Sequence, residues 1–260
     1  MMDNVLTESQ KQIKEQFMKE RGEWIWSDFW QSILLLDEEF VKGYSKLSSL
    51  PNQKGFIEPK VKEFIYIALD DSITHFYEPG LRGHIQQAFT HGASKEEVLE
   101  VMEIAGTIGS HTLTMGIPVL ADALQKRGTD ISSMKLTEKQ KALKEEYIGQ
   151  KRGDWSDDLE NILKLDEDIF DAFFAFSYVP WKSGSLDPKT KELLFIAINV
   201  SPTTLQEPGI KIHVENALNA GATKEEILEV FEMVSCLGVH SVANGLSILN
   251  EEWDKHKSQK

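Results

Sequence analysis

The sequence predicts an all-α protein, and three observations lead to this fold class. Helix-start signals are frequent: prolines follow acidic residues ahead of apolar runs, and two capping boxes of the form Ser/Thr-x-x-Glu are present. Strand signals are weak, because there is little sustained alternation of apolar and polar residues. A long internal repeat then presents the same helix signals a second time.

The predicted helices follow in chain order. Amphipathic patterns indicate about two helices ahead of each apolar core, near residues 7–20 and 28–47 in the first half and 136–150 and 158–176 in the second. The first turns of the next helices are expected at four prolines, namely Pro59, Pro79, Pro188 and Pro208. Capping boxes at Ser94 and Thr223 open further helices, which Gly109 and Gly238 interrupt; a last helix of the first half extends to about Lys126.

The repeat divides the chain into two similar halves. Residues 63–111 align with residues 192–240 at an offset of 129 without gaps, and 21 of the 49 positions are identical. Farther toward the N-terminus, Arg21-Gly22-Glu23-Trp24 resembles Arg152-Gly153-Asp154-Trp155 at an offset of 131. The polar stretch 128–133 contains turn formers and marks the boundary. We therefore predict two domains, residues 1–131 and 132–260, since a duplicated domain usually replaces a symmetric dimer.

Composition and charge exclude several classes of protein. The 260 residues carry a formal net charge of −14, which disfavours binding to nucleic acid or to anionic lipid. Apolar runs such as residues 64–69 are far shorter than the ~20 residues that span a bilayer, and the N-terminus has no signal-peptide pattern. The single cysteine, Cys236, supplies neither an intrachain disulfide nor a CxxC pair. We expect a cytoplasmic protein that binds neither nucleic acid nor membrane.

Polar residues that recur in both halves are the candidates for chemistry. They are a glutamate near the start of the most apolar helix, a histidine in the next helix, a basic residue two positions before it, and a histidine after the interrupting glycine: Glu63, His84, Arg82 and His111 in the first half, and Glu192, His213, Lys211 and His240 in the second. Each also has a structural interpretation. A first-turn glutamate can stay in solvent, a histidine can be a hydrogen-bonded core residue, and a basic residue can be a surface charge.

Other catalytic patterns have less support. Glu63, His84 and His111 offer ligand types found at zinc and iron sites, but no tight spacing such as HExxH accompanies them. The sequence also contains neither a GxSxG nucleophile elbow nor a glycine-rich phosphate loop. We therefore expect no metal ion and no other cofactor.

The repeated segment resembles the carboxymuconolactone decarboxylase family. The residues that carry the likeness are Glu78-Pro-Gly-Leu-Arg-Gly-His84 followed by Gly92-Ala-Ser-Lys-Glu-Glu-Val-Leu-Glu-Val101, and Glu207-Pro-Gly-Ile-Lys-Ile-His213 through Val230 in the second half. The likeness covers about 70 residues of each half. It implies an all-helical fold of the alkylhydroperoxidase D-like type, here as two tandem domains, and a homo-oligomer such as a trimer.

The alkylhydroperoxidase D-like branch of that superfamily uses a CxxC pair, and this sequence departs from it. The corresponding positions are Tyr77 and Gly80 in the first half and Gln206 and Gly209 in the second, so neither half has a thiol there. Without a thiolate a peroxide has no nucleophile to react with. An oxidoreductase that borrows a thiol or a cofactor stays an alternative, as does a non-catalytic helical assembly protein.

A glutamate–histidine pair without cysteines is similar to the decarboxylase branch. The resemblance implies a lyase that acts on a small carboxylated lactone or a related carboxylic acid, with Glu63 and His84, and Glu192 and His213, as proton-transfer pairs. We expect Gly80 and Gly209 to leave room for the substrate. Arg82 and Lys211 are the expected ligands of a substrate carboxylate, and His111 and His240 are further expected substrate-binding residues.

Overall fold

The computed structural model describes residues 6–150 and 155–258, and in these residues it is helical with no β-strand, which confirms the predicted fold class. The helices of the first half are α1 (Glu8–Arg21), α2 (Asp28–Leu36), α3 (Glu38–Ser48), α4 (Leu50–Lys54), α5 (Pro59–Asp70), α6 (Glu78–Thr90), α7 (Lys95–Gly106) and α8 (Ser110–Gln125). Those of the second half are α9 (Glu138–Gly149), α10 (Asp157–Leu165), α11 (Glu167–Ser177), α12 (Val179–Ser183), α13 (Pro188–Val200), α14 (Glu207–Asn219), α15 (Lys224–Ser235) and α16 (Val239–Ser258).

Local sequence signals place several helix starts as predicted. Helices α5 and α13 begin at Pro59 and Pro188, where a missing N–H costs nothing because the first turn has no intrahelical acceptor. Both capping boxes form. The side chain of Ser94 or Thr223 accepts a hydrogen bond from the backbone N–H three residues on, and the glutamate side chain at that position accepts one from the backbone N–H of the capping residue. These signals are local, so they are readable without knowledge of the tertiary fold.

Two segments that we expected to be single helices are each divided in two. The break falls at Asp37 in the first half and at Asp166 in the second, and both residues have extended backbone. Each aspartate caps the helix that follows, as shown by the 3.0 Å bond from the N–H of Phe40 to Asp37 Oδ1. A side chain that accepts a backbone N–H competes with a continuous helix, so the apolar pattern continues while the helix stops.

The helix pattern repeats between the halves. Helices α2 to α7 begin 129 residues before α10 to α15, one for one. The likeness weakens at the N-terminal end: Arg152, Gly153 and Asp154 lie outside the described residues, and Trp24 and Trp155 have different neighbours. Trp24 touches His84, whereas Trp155 packs on Tyr147. The division into domains at residue 131 stays a prediction.

One hydrophobic core joins the two halves. Helices α5 and α13 pack against each other, and α7 packs against both. The fully buried residues of this core come from both halves and include Phe64, Ile65 and Ile67 together with Leu193, Leu194 and Ile196. Because the central helices share one core, the halves cannot be separated without exposing it to water.

The last helix of each half packs on the other half. Val239 and Leu246 of α16 lie in a cluster with Phe17 and Trp30 of the first half. In the reciprocal cluster, Leu113 and Ile117 of α8 pack against residues of α10 and α11. This exchange carries the histidine at the start of each last helix into the opposite half.

Helix α8 leaves several large apolar side chains exposed. It contains no buried residue, and Met115, Val119 and Leu120 are exposed. In the described part of the chain, the helical stretch 95–125 alone is long and apolar enough to cross a membrane, and 17% of its most apolar window is buried. This indication of a membrane-spanning helix rests on length and composition alone. Our expectations of no membrane and a cytoplasmic location stay predictions.

Candidate active site

The structure brings Glu63 and His84 together across two adjacent helices. Glu63 on α5 places Oε2 2.7 Å from Nδ1 of His84 on α6, and both side chains are nearly buried. The imidazole ring stacks on Tyr66 at 4.5 Å and meets the edge of Trp24 at 5.2 Å. Since Glu63 occupies Nδ1, Nε2 is the ring atom left free to exchange a proton. The structural interpretation of Glu63 as a solvated first-turn residue is therefore wrong.

The second half forms the matching pair with a more open histidine. His213 Nδ1 lies 2.7 Å from Glu192 Oε2, and Phe195 takes the place of Tyr66 under the ring. Asn216 adds a 3.3 Å bond to the other carboxylate oxygen. The His213 side chain is 21% exposed, against 9% for His84. The two pairs thus have the same core geometry and different surroundings.

A cavity of about 220 Å³ opens beside His84. Its walls come from both halves: Arg21, Trp24, Tyr66 and Tyr77 line it from the first half, and residues of α15 and α16 line it from the second. Among the described residues in its lining, Arg21 is the one lysine or arginine. Pockets for drug-sized ligands usually exceed about 300 Å³, so this cavity suits a smaller molecule.

Each of the two late histidines lies beside the glutamate–histidine pair of the opposite half. His240 lines the cavity beside His84 and stacks on Tyr77 at 3.9 Å. His111 instead lies close to His213 and Asn199 in the second half. The metal site considered for Glu63, His84 and His111 is therefore wrong, because His111 lies at the other pair. The cause is the exchange of α8 and α16, which two identical sequence patterns do not reveal.

A buried carboxylate, Asp70, lies between His84 and a pair of histidines. Its Oδ2 is 4.0 Å from His84 Nε2, and its Oδ1 is 3.6 Å from His240 Nδ1 and 3.8 Å from His75 Nε2. Burial raises the pKa of Asp70 to about 8. Burial, with smaller effects of His75 and His84, lowers the pKa of His240 to about 3. Around neutral pH Asp70 and His240 are thus mostly uncharged.

The glycines before the histidines do not leave space for a ligand in the way we expected. A Cβ at Gly80 would collide with Asp70 Oδ2 and with the ring of Tyr77, and one at Gly209 would collide with Asn199 and Gln206. The missing side chain therefore admits a neighbouring protein side chain. Gly80 still lines the cavity through its backbone.

The basic residues next to the histidines point away from the site. Arg82 is 74% exposed and donates through Nε to Glu78 at 2.8 Å. Lys211 is 73% exposed and pairs with Glu207 at 2.7 Å. Within this chain they are surface ion pairs one helical turn apart, so the expectation that they bind substrate is not met here. Arg21 is the cation that sequence reasoning missed.

Several other lining residues also escaped the sequence analysis. Tyr66 lies three residues after Glu63, so the three-to-four residue spacing of one helix face could have placed it under the histidine. Asp70 ends an otherwise apolar run at the last residue of α5, where the helix dipole disfavours a carboxylate, so its position was a signal that could have been read. Nothing local indicates that Trp24 or Arg21, about 60 residues earlier, returns to this helix pair.

Comparison with known proteins places this site in a family. The model of the Carboxymuconolactone decarboxylase family matches residues 167–251. A crystal structure from Burkholderia xenovorans, provisionally described as a gamma-carboxymuconolactone decarboxylase subunit, is 37% identical with a TM-score of 0.88. It covers 95% of this chain, which in turn covers 98% of it. The chain belongs to the carboxymuconolactone decarboxylase family.

The remaining comparison adds no activity. "Uncharacterized protein 4 in cox locus" of Paracoccus denitrificans is 37% identical over 87 residues, which are 32% of this chain and 77% of that protein. The segment matched by the carboxymuconolactone decarboxylase model lies in the second half. Family membership thus fixes the scaffold, and the activity has to be inferred from the site.

Proposed function

We propose that the chain is a lyase that uses Glu63 and His84 for proton transfer on a small carboxylated lactone or related carboxylic acid. The observation that carries the proposal is the 2.7 Å Glu63–His84 contact at the wall of a 220 Å³ cavity. A carboxylate that holds one imidazole nitrogen fixes the tautomer and directs the other nitrogen toward the substrate. The name of the Burkholderia xenovorans neighbour supports the same reaction class.

The reaction requires one proton. When the bond from the lactone ring to the carboxylate carbon breaks, carbon dioxide leaves and the electron pair moves into the conjugated lactone. The resulting dienolate takes a proton on carbon, and Nε2 of a protonated His84 supplies it. Before this transfer Glu63 balances the charge of the imidazolium; afterwards it holds the neutral ring in place while Nε2 takes up a new proton from water.

Arg21 is the proposed anchor for a second carboxylate of the substrate. It lines the cavity, and one of its Nη atoms already donates to the carbonyl of Ser48 at 2.6 Å. Guanidinium groups hold carboxylates through paired N–H donors, and they do so more strongly away from bulk water. Arg21 takes over the role that we had expected of Arg82.

The first site is the proposed catalytic one, and the second site is its diverged copy. Trp24 covers His84, and Gly83 makes that approach possible, because a Cβ there would collide with the indole. Position 212 of the second half is isoleucine, and Trp155 lies elsewhere. His84 is thus shielded from water on a face where His213 has no tryptophan, which strengthens electrostatic interactions at His84.

The oxidoreductase alternative gains little from the structure. Cys236 is the single thiol of the sequence, and it lines the same cavity. Burial raises the pKa of its thiol above the usual value, which disfavours the reactive thiolate.

We also propose, as the sequence led us to expect, that the chain forms a homo-oligomer. The exposed apolar side chains of α8 support this proposal, because they offer a surface for another copy of the chain.

Carbon dioxide release from gamma-carboxymuconolactone tests the proposal. Replacing His84→Gln should lower kcat by at least about 100-fold, the contribution of a general acid. His213→Gln is the matched control and should retain the wild-type rate. Wild-type protein that releases no carbon dioxide would refute the named substrate. A His84→Gln variant as active as wild type would refute the mechanism.

A further inference from the structure

Three side chains next to the proposed lyase site form a cluster with metal-ligand geometry. His75 Nε2 lies 2.8 Å from His240 Nδ1, and Asp70 Oδ1 lies 3.8 Å and 3.6 Å from these two atoms. The radius of the circle through three points is the product of the sides divided by four times the area, here about 2.0 Å. Zinc binds nitrogen and oxygen ligands at about 2.0–2.2 Å. An ion at the centre of that circle would contact all three atoms from within their plane, and a tetrahedral ion needs His75 Nε2 and His240 Nδ1 to separate from 2.8 Å to about 3.4 Å.

The carboxylate of this cluster has no other partner. The Asp70 side chain is 1% exposed, and neither of its oxygens accepts a hydrogen bond within the described part of the chain. A buried carboxyl group without a hydrogen bond is costly, and native proteins avoid it unless another group or ion satisfies it. A bound cation satisfies Oδ1 directly. This observation does not depend on the distances among the three ligand atoms.

The fold orients the two histidines independently of any ion. His75 lies in the turn after α5, which is held by bonds of 2.8 Å from its N–H to the Ser72 carbonyl and from the Tyr77 N–H to the Asp70 carbonyl. Tyr77 stacks on the His240 ring at 3.9 Å and an interplanar angle of 16°. Ligands with fixed rings lose little conformational freedom when they bind an ion, so the cluster is preorganised.

The second half retains one of the three ligands. The residues at the positions of Asp70 and His75 are Asn199 and Thr204, and His111 corresponds to His240. The Asn199 amide donates to the Phe195 carbonyl at 2.8 Å, a contact that a carboxylate cannot make. An amide, a hydroxyl and one imidazole form a much weaker site for a transition metal. The chain thus contains its own negative control.

We propose that Asp70, His75 and His240 bind a divalent transition-metal ion of the zinc class, one per chain. Two histidines and one carboxylate leave a tetrahedral ion with an open fourth position, as in catalytic sites. His240 also lines the 220 Å³ cavity, so the ion site and the cavity share a wall. The proposal departs from our expectation of no metal, which stays a prediction. It does not depend on the proposed lyase reaction.

Titration of the full-length, chelator-treated protein with Zn²⁺ and with Co²⁺ tests the site. Calorimetry should give one Zn²⁺ per chain, and Co²⁺ should show the strong visible absorption of a four-coordinate ion. Asp70→Asn should weaken binding by more than about 100-fold, beyond the effect of losing an outer-shell partner. His75→Gln should do the same, and it guards against a folding defect confined to one variant. Circular dichroism and thermal unfolding would establish that both fold.

The matched control is His111→Gln, which should leave the affinity and the stoichiometry for Zn²⁺ unchanged. Binding that survives both Asp70→Asn and His75→Gln would assign the ion to surface histidines and overturn the proposal. So would a wild-type protein that binds no ion, since the 2.8 Å His75–His240 contact would then be only a hydrogen bond between two rings. Equal losses in His111→Gln would also overturn it.

Discussion

Two buried ion pairs connect the halves, and replacing one lysine tests how strongly they hold the fold. Lys62 of α5 lies 2.7 Å from Glu229 of α15, with side chains 7% and 0% exposed. Lys191 of α13 and Glu100 of α7 form the reciprocal pair at 2.9 Å. In both pairs Oε1 lies outside hydrogen-bond geometry, so this contact is mainly an attraction between charges. Each glutamate also accepts backbone N–H groups through Oε2.

Lys62→Met keeps an unbranched side chain that is one atom shorter, and it removes the ammonium group that pairs with Glu229 and donates to the Pro51 carbonyl. Glu229 is then buried without a cation, and breaking a buried pair in this way costs about 3–5 kcal/mol. In a chain of this size, 1 kcal/mol corresponds to roughly 2–4 °C, so the Tm should fall by about 6–20 °C. In the double variant Lys62→Met/Glu229→Gln, stability should largely return, since the amide still accepts from the Phe56 N–H and no charge remains.

Urea unfolding followed by circular dichroism measures these differences. Lys42→Met is the control, because Lys42 is 43% exposed and pairs with Glu38 and Glu39 at the surface. Its free energy of unfolding should match that of wild type, since exposed ion pairs add little to stability. A Lys62→Met variant no less stable than Lys42→Met would refute the reasoning. A double variant less stable than Lys62→Met would refute the assignment of the loss to the unpaired carboxylate.

Two further predictions concern the wall of the cavity. Gly80→Ala should lower stability by about 1–3 kcal/mol in thermal unfolding, because the new Cβ collides with Asp70 and Tyr77. Gly43→Ala is the control and should not lower stability, because the space around Gly43 is open. Equal Tm values for the two variants would contradict this reasoning. The second prediction concerns the pH dependence of the free energy of unfolding, measured with urea in the presence of chelator. Between pH 6.5 and pH 8 this free energy should fall by roughly 1–2 kcal/mol more in the wild type than in Asp70→Asn. The sign follows because the pKa of Asp70 is raised to about 8 in the folded protein, so the folded protein loses stability as the pH rises and this carboxyl group ionises. The lowered pKa of His240 affects stability only below the unfolded pKa of 6.5, outside this pH range. Parallel pH curves for the two proteins would contradict it.

The sequence predicted what local chemistry determines. Prolines and capping boxes act within one helical turn, so the starts of α5, α7, α13 and α15 are readable directly. Glu63 and His84 recur as Glu192 and His213 at the same spacing, and both pairs do meet. The sequence also contained a signal for the breaks at Asp37 and Asp166, since aspartate is a strong N-cap. We did not predict these breaks, because the apolar pattern continues past both residues.

Long-range pairing was not predictable in the same way. When a pattern occurs twice, a helix such as α16 can pack on its own half or on the other with the same complementarity. The sequence therefore could not assign His240 to His84 and His111 to His213. The same exchange placed Asp70 and His75 beside His240, so the cluster with metal-ligand geometry has no signature in residue spacing. Arg21 reached the cavity by a similar long-range contact.

The most direct test of the central claim compares the two glutamates in one assay. Carbon dioxide release from gamma-carboxymuconolactone would be measured for Glu63→Gln and Glu192→Gln, which change the charge and preserve the shape of matched residues. The account predicts that Glu63→Gln lowers kcat/KM by at least about tenfold, as expected when the partner of a working histidine is lost. It predicts that Glu192→Gln matches wild type. Equal values for both variants, or a loss confined to Glu192→Gln, would contradict the assignment of the chemistry to Glu63 and His84.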